Sequence, residues 1–233
     1  MIDGIELASS GLDAYANVQE TIARNLANAN TVGFKKNTIS FTTILSEETS
    51  TLKTDYGVDY SHGSLKYTGN TFNMAIDGDG FFALEATNGM RYTRNGQFQL
   101  SSTNELITDT GAKVLGQGGP ITIPKGGGEL IVDKKGIISM NGKEVGRLMV
   151  TNFTDLTKLV PTGDSTFAAP EDLIDDSGEK KFNVAQGYLE SSNVSVVTEM
   201  VDMITNMRSY EASNNVIKTF SELMERLIAN QAT

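Results

Sequence analysis

Asp77 and Asp79, in the run Asp77-Gly78-Asp79-Gly80, have the alternation with which a calcium-binding loop opens. The match ends there, because Phe81 and Phe82 stand where a further oxygen ligand and a glycine would follow. A tight turn into a buried strand accounts for the same residues. Two glycine clusters, Gly116-Gln117-Gly118-Gly119-Pro120 and Gly126-Gly127-Gly128, could offer backbone N–H groups to a phosphate. Neither lies between a strand and a helix, and no Lys-Ser or Lys-Thr follows to meet phosphate and Mg2+, so both read as turns. His62 is the only histidine, so a Ser-His-Asp relay would have to be built on it. It lies in a polar stretch, and the chain has no Gly-x-Ser-x-Gly elbow. Carboxylates are plentiful, but no spacing singles out a glycosidase-like pair. No catalytic residue, cofactor or metal is expected.

Composition narrows the remaining classes. With no Cys there is neither a disulfide nor a thiolate metal site. A formal net charge of −10 argues against a nucleic-acid partner, which would call for a basic stripe. The acidity is not blocky, since Asp175 and Asp176 are soon followed by Lys180 and Lys181, and it reads as a solvated surface. No stretch approaches the ~18 apolar residues of a membrane span, so no membrane insertion is expected. The opening MIDGIELASSGLDAY has acids where a secretory signal carries positive charge, so a Sec signal is not expected.

The elements that would position any site are two long helices with β sequence between them. Ile5, Ala8, Leu12, Tyr15, Ile22 and Leu26 recur in steps of three and four, and only Gln19 interrupts them. Asp3 and Glu6 have capping-box spacing, and Asn28, Asn30 and Gly33 offer C-cap chemistry, which predicts a helix over residues 4–29 of roughly 40 Å. Near the other end Val197, Met200, Ile204 and Met207 form a stripe, continued after a shift in register by Val216, Phe220, Leu223 and Leu227. This helix is expected from Ser195, its N-cap, to Asn230, with Glu199 meeting the helix dipole. Narrow stripes suit helix-on-helix packing in coiled-coil fashion. Met200, Met203, Met207 and Met224 suit contacts that differ slightly between neighbouring copies.

Residues 35–65 are Thr- and Ser-rich and read as an extended or partly ordered connector, with a local apolar group at Phe41, Ile44 and Leu45. From Thr71 the period becomes two: Phe72, Met74 and Ile76, then Phe82, Leu84 and Ala86. Asn88-Gly89 and Asn141-Gly142 are strong hairpin signals, and Asn95-Gly96 is a third candidate turn. Further short strands are expected at 105–108, 113–115, 121–123, 130–132, 137–140 and 147–151, and a loop-rich return over 154–183. The fold class is α+β: long N- and C-terminal helices packed together as a coiled-coil-like layer, with a central, mainly antiparallel β domain. The expected divisions are an N-terminal helical segment 1–34, a connector 35–68, a β domain 69–186 and a C-terminal helical segment 187–233.

Asn25-Leu26-Ala27-Asn28-Ala29-Asn30-Thr31-Val32-Gly33-Phe34-Lys35 resembles the N-terminal signature of bacterial flagellar rod and hook proteins. Ala75 to Phe82 followed by Tyr92 to Phe98 resembles that family's core β motif. Gly187 to Val194, continuing through Glu199-Met200-Val201 and Arg208 to Glu211, resembles its C-terminal helix motif. The three segments fall in the family's order across nearly the whole chain. The length, with the runs Gly116–Pro124 and Asn141–Leu148, is more similar to the proximal-rod branch than to the distal-rod branch.

The resemblance implies a mechanical role without catalysis: a subunit that packs with copies of itself and other flagellar rod proteins into a torque-transmitting shaft across the periplasm. It implies passage through the flagellar type III export apparatus, and Phe41-Thr42-Thr43-Ile44-Leu45 resembles the family's export-gate motif. The helix stripes would be the polymerising surface, and Asn25, Asn28, Thr31, Gly33 and Phe34 the family signature. Two other classes stay open on the residues alone. A non-flagellar surface fibre or adhesin would polymerise without flagellar partners, and a periplasmic carbohydrate-active enzyme would turn over glycan with its β domain.

Overall fold

The computed structural model describes residues 2–45, 50–126, 128–175 and 182–231; the side chains of residues 2–8, 43–45, 50–52, 224, 225 and 227–231 fall outside that description. The chain forms two compact units. One comprises Met1–Ala29, Lys36–Asp59 and Val194–Thr233; the other comprises Asn30–Lys35 and Tyr60–Asn193.

The first unit holds both long helices. Helix α1 spans Ile2–Ala27, starting two residues before the expected point. It ends where the Asn28 side-chain amide donates to the Arg24 carbonyl at 2.9 Å, the C-cap chemistry expected of that residue. The Asp3 and Glu6 side chains lie outside the described residues. Between the helices in sequence, β1 (Asn37–Leu45) and β2 (Ser50–Val58) pair antiparallel from Asn37↔Val58 to Leu45↔Ser50. The stretch read as an extended connector therefore carries a hairpin. Its high Thr and Ser content masks the period of two in the sequence. Cross-strand pairing places Ile39, Phe41, Tyr56 and Val58 in one row and Ser40, Thr42, Lys53 and Asp55 in the other. Helix α2 spans Val196–Gln231, and the Ser195 hydroxyl accepts the Thr198 N–H at 3.4 Å, the expected N-cap. No helix among the described residues is long and apolar enough to cross a membrane.

The second unit is antiparallel β. It contains β3 (Leu65–Tyr67), β4 (Met74–Gly78), β5 (Phe81–Ala86), β6 (Gly89–Thr93), β7 (Phe98–Leu100), β8 (Leu106–Thr108), β9 (Lys113–Gly116), β10 (Gly119–Pro120), β11 (Leu130–Val132), β12 (Ile137–Met140), β13 (Lys143–Arg147) and β14 (Val150–Thr151). β15 (Val160–Gly163), β16 (Thr166–Ala168), β17 (Phe182–Gln186) and β18 (Tyr188–Glu190) complete it. The main sheet runs β15–β16–β6–β5–β9–β8–β7, with β10 on β9 and β14 on β5. β11–β12–β13 form a second sheet, and β17 pairs with β4 and β18 with β3. Asn88-Gly89 and Asn141-Gly142 do sit at hairpins, β5–β6 and β12–β13.

Asn95-Gly96 does not. The neighbours of β6 are β5 and β16, and β7 pairs with β8, so the pair lies in a passage between them. Gly96 is needed there because a Cβ would collide with the Met74 carbonyl oxygen. β5 is the centre of the unit. Phe81, Phe82, Ala83 and Leu84 are all buried, because a central strand has packing on both faces and loses the expected alternation. Phe82 and Leu84 join Met74, Ile76, Leu106, Val114 and Ile138 in the main core. Phe81 turns the other way, into an aromatic group with Tyr60, Phe153 and Phe167. The return path expected to be loop-rich over 154–183 contains β15, β16 and the start of β17. All four β15 residues are exposed, so no apolar alternation announces that strand. Asp176, Lys180 and Lys181 lie outside the described residues.

Candidate assembly surface

In the first unit α1 and α2 lie side by side. Their direction follows from two polar contacts far apart in sequence. The Asn25 amide donates to the Glu199 carboxylate at 3.2 Å, and the Asn206 amide donates to the Tyr15 carbonyl and to Gln19 Oε1, both at 2.9 Å. Descending α1 corresponds to ascending α2, so the helices are antiparallel. On α1 the described stripe residues are covered: Ile22 is buried, and Leu12, Tyr15 and Leu26 are half-buried. The side chains of Ile5 and Ala8 lie outside the described residues.

On α2 the arrangement differs from the expected stripe-to-stripe contact. The buried residues are Glu199 and Asn206, with Met203, Ser213 and Ile217 half-buried. The apolar stripe faces outward instead: Val197 is 73% exposed, Met200 52%, Ile204 55% and Met207 56%. Val216, Phe220 and Leu223 are exposed too, and Leu227 lies outside the described side chains. The hydrogen-bonding groups of α2, not its apolar row, meet partners on α1. At ~100° per residue, the first row lies about a third of a turn from the seam, and the second about a quarter of a turn to its other side. A groove of about 400 Å³ runs beside the seam between Tyr15, Ala16 and Ala23 on α1 and Met207 and Tyr210 on α2.

The signature residues hold the end of α1 and the chain that leaves it. Asn25 is almost fully buried, and its amide pairs with the Asn37 backbone as well as with Glu199. Lys36 reaches the same Glu199 carboxylate. In the second unit, Gly33 has φ +66°, and a Cβ would meet Asn95 N at 2.4 Å and the Arg94 carbonyl carbon at 2.5 Å, so only glycine fits. The Gly33 N–H donates to the Glu190 carbonyl at 2.8 Å, and Phe34 N–H to the Thr31 carbonyl at 3.3 Å. The Phe34 side chain is half-buried.

Beside Gly33 lies a buried charge cluster that sequence reading did not find. The Lys35 ammonium donates to the Glu190 carboxylate and to the Ser61 carbonyl, both at 2.7 Å. Arg94 donates to Glu190 at 3.3 Å and to the carbonyls of Ile76 and Gly78, with its guanidinium 5.2 Å from the Phe81 ring centre. The Gly63 N–H adds a further bond to Glu190 at 3.0 Å. Burial pushes the Arg94 guanidinium below its usual range, while the Glu190 and Asp79 carboxylates pull it back up. Lys35, Arg94, Glu190 and Glu199 all stand inside the segments that carry the family resemblance, but nothing in their spacing pairs them.

The chemistry-bearing candidates resolve as turns and surface. Asp77 and Gly78 end β4, and Asp79 and Gly80 turn the chain into buried β5. His62 Nε2 lies 3.6 Å from Asp79, with both side chains well exposed. Among the described residues, no cluster of three or more His, Asp or Glu could hold a metal ion. Gln117 and Gly118 make the turn from β9 to β10, Gly126 and Gly128 lie in the passage before β11, and Gly127 lies outside the described residues. Phe41 sits on β1 opposite Thr54, about one-third exposed, and the Leu45 side chain lies outside the description.

Two long antiparallel helices, one with apolar residues left uncovered, bracket an antiparallel β unit in sequence. The family models described as flagella basal body rod protein, flagellar hook protein FlgE/F/G D1 domain and flagellar basal body rod FlgEFG protein C-terminal match residues 5–35, 75–140 and 185–230. Among curated relatives, the flagellar basal-body rod protein FlgF of Caulobacter vibrioides is 34% identical over 88% of this chain and 87% of its own length. FlgF of Mesorhizobium japonicum is 35% identical over 91% and 90%. The flagellar basal-body rod protein FlgG of Buchnera aphidicola subsp. Baizongia pistaciae is 31% identical over 97% and 99%. The chain belongs to the flagellar basal-body rod and hook protein family.

Proposed function

We propose that this chain is a subunit of the proximal part of the basal-body rod, of the FlgF kind, and that copies pack through the terminal helices into the shaft carrying torque to the hook. The observation behind the reading is the outward stripe of α2. Val197, Met200, Ile204, Met207, Val216, Phe220 and Leu223 are large apolar side chains left in water along one helix of 36 residues. Apolar surface of that kind, in two rows flanking the seam, is stabilised by being covered, and neighbouring subunits would cover it. In that packing the stripes would act as coiled-coil-like seams between subunits. The rod spans the periplasm, and the chain would reach it through the flagellar type III apparatus, with Phe41 and Leu45 as the export-gate motif.

FlgF over FlgG is favoured by length. The alignment to the Buchnera aphidicola subsp. Baizongia pistaciae FlgG spreads 97% of this chain over 260 positions, whereas that to the Caulobacter vibrioides FlgF spreads 88% of it over 220, with fewer gaps. FlgG-like relatives thus carry residues with no counterpart here. Expression in strains of the source bacterium lacking its FlgF or its FlgG tests the choice. Swimming restored only in the first supports the reading, and only in the second overturns it in favour of FlgG. For the assembly surface, Val216→Asp with Leu223→Asp should leave the β unit folded while cells lack hooks and filaments. Normal swimming by that variant would remove α2 as the packing surface.

A further inference from the structure

We propose that Glu199 and Asn206 act together as a rotational lock on α2, two polar ties that hold its mixed face to α1 and so keep Val197, Met200, Ile204 and Met207 turned outward. That the outward row serves other subunits rests on the assembly reading above; the lock itself does not. Glu199 and Asn206 are seven residues apart, about two turns, and therefore share one side of the helix. Both are almost wholly buried, at 1% and 8% exposure, on a helix where Val197, Met200, Ile204 and Met207 are each more than half exposed.

Apolar burial alone would favour the opposite setting. Turning α2 by about a third of a turn would bring the row from Val197 to Met207 onto the apolar side of α1. That turn would also draw the Glu199 carboxylate away from Lys36 and Asn25, and the Asn206 amide away from Gln19 and the Tyr15 carbonyl. Gln19 and Asn25 would then face apolar side chains with hydrogen-bonding capacity unmet. A buried polar residue in a helix seam fixes geometry at some cost in stability, and two such residues two turns apart fix rotation as well as register. The lock gives a reason for Gln19, the one residue that breaks the apolar series of α1: it is the partner of Asn206.

The natural chain has no cysteine, so single cysteines report rotation cleanly. Ile204→Cys places a thiol on the outward row and Ser213→Cys one on the half-buried side. Maleimide labelling of each would be timed in the dilute full chain, with and without Glu199→Ala and Asn206→Ala, which remove the ties without adding apolar bulk. The lock predicts that the alanine pair slows labelling at position 204 at least fivefold and speeds it at 213 by a similar factor. Unchanged rates at both positions would show that packing sets the rotation, and would overturn the proposal. Faster labelling at both would show that α2 has come away from α1, so that the two residues merely stabilise, and would overturn it equally. Assembly is not read in this experiment, so its outcome is independent of the swimming phenotype of the Val216→Asp, Leu223→Asp variant.

Discussion

The side chain of Asn25 pairs with the backbone of Asn37 in both directions: its amide donates to the Asn37 carbonyl at 2.9 Å, and the Asn37 N–H donates to its Oδ1 at 2.8 Å. A helix residue thus fastens the first residue of β1 as a neighbouring strand would. The same amide also donates to Glu199, so one buried side chain joins the end of α1, the root of the hairpin and the first turn of α2.

Replacing Asn25 should therefore destabilise the helical unit. Asn25→Ala strands the N–H and carbonyl of Asn37, at about 1–3 kcal/mol for buried groups left unpaired. Asn25→Asp should cost more, since a carboxylate cannot donate to the Asn37 carbonyl and would face Glu199. Denaturant unfolding followed by helical circular dichroism checks the order; an aspartate variant as stable as the natural chain would contradict this account of Asn25.

The Glu190 carboxylate contacts both Lys35 and Arg94 in the buried cluster of the β unit. Glu190→Gln removes the carboxylate that both buried cations share and should cost about 3–5 kcal/mol. Lys35→Met should cost less, because Arg94 still neutralises Glu190. Chemical denaturation of the three proteins, read from the tyrosine signal, measures the ranking, and a glutamine variant milder than the methionine variant would refute it.

Burial pushes the Tyr60 phenol up to about 12 from its ordinary 10, and raises Tyr92 as well, with Glu171 adding to the latter. The unfolded chain releases these protons near pH 10, while the folded chain holds that of Tyr60 until about pH 12. The resulting stability is fully present below pH 10 and is lost as pH rises through that window. Tyr60→Phe should flatten the alkaline fall in melting temperature and shrink the late phase of tyrosinate absorbance. An unchanged late phase would assign it elsewhere.

Phe41 is the half of the export-gate reading whose side chain the structure describes. Because it is about one-third exposed on a two-stranded ribbon, Phe41→Ala should change stability by only about 1 kcal/mol. If the residue is read during export, secretion should fall sharply while the melting temperature holds. Normal secretion with a clear loss of stability would make Phe41 a packing residue.

Sequence reading recovered the parts governed by local rules. The helix ends at Asn28 and Ser195, the hairpins at Asn88-Gly89 and Asn141-Gly142, and the turn at Asp77–Gly80 depend on a few neighbouring residues, and the structure has each of them. The hairpin of β1 and β2 and the exposed strand β15 were not legible. In β1 and β2 interspersed Thr, Ser and Gly mask the alternation, in β15 all four residues are exposed, and the pairing partner identifies both as strands.

By itself the sequence determined that two amphipathic helices bracket an antiparallel β unit, because periodicity and turn chemistry are written over a few residues at a time. Which face of α2 meets α1 was decided only by the tertiary structure. The hydrophobic pattern marks Val197, Met200, Ile204 and Met207 as the face to bury, yet the seam is built on Glu199 and Asn206. Their partners Asn25, Lys36 and Gln19 lie more than 160 residues away in the chain, and a hydrogen bond between such distant groups leaves no periodic trace. The same holds for Lys35, Glu190 and Arg94, whose charges can be buried only because the fold brings all three together.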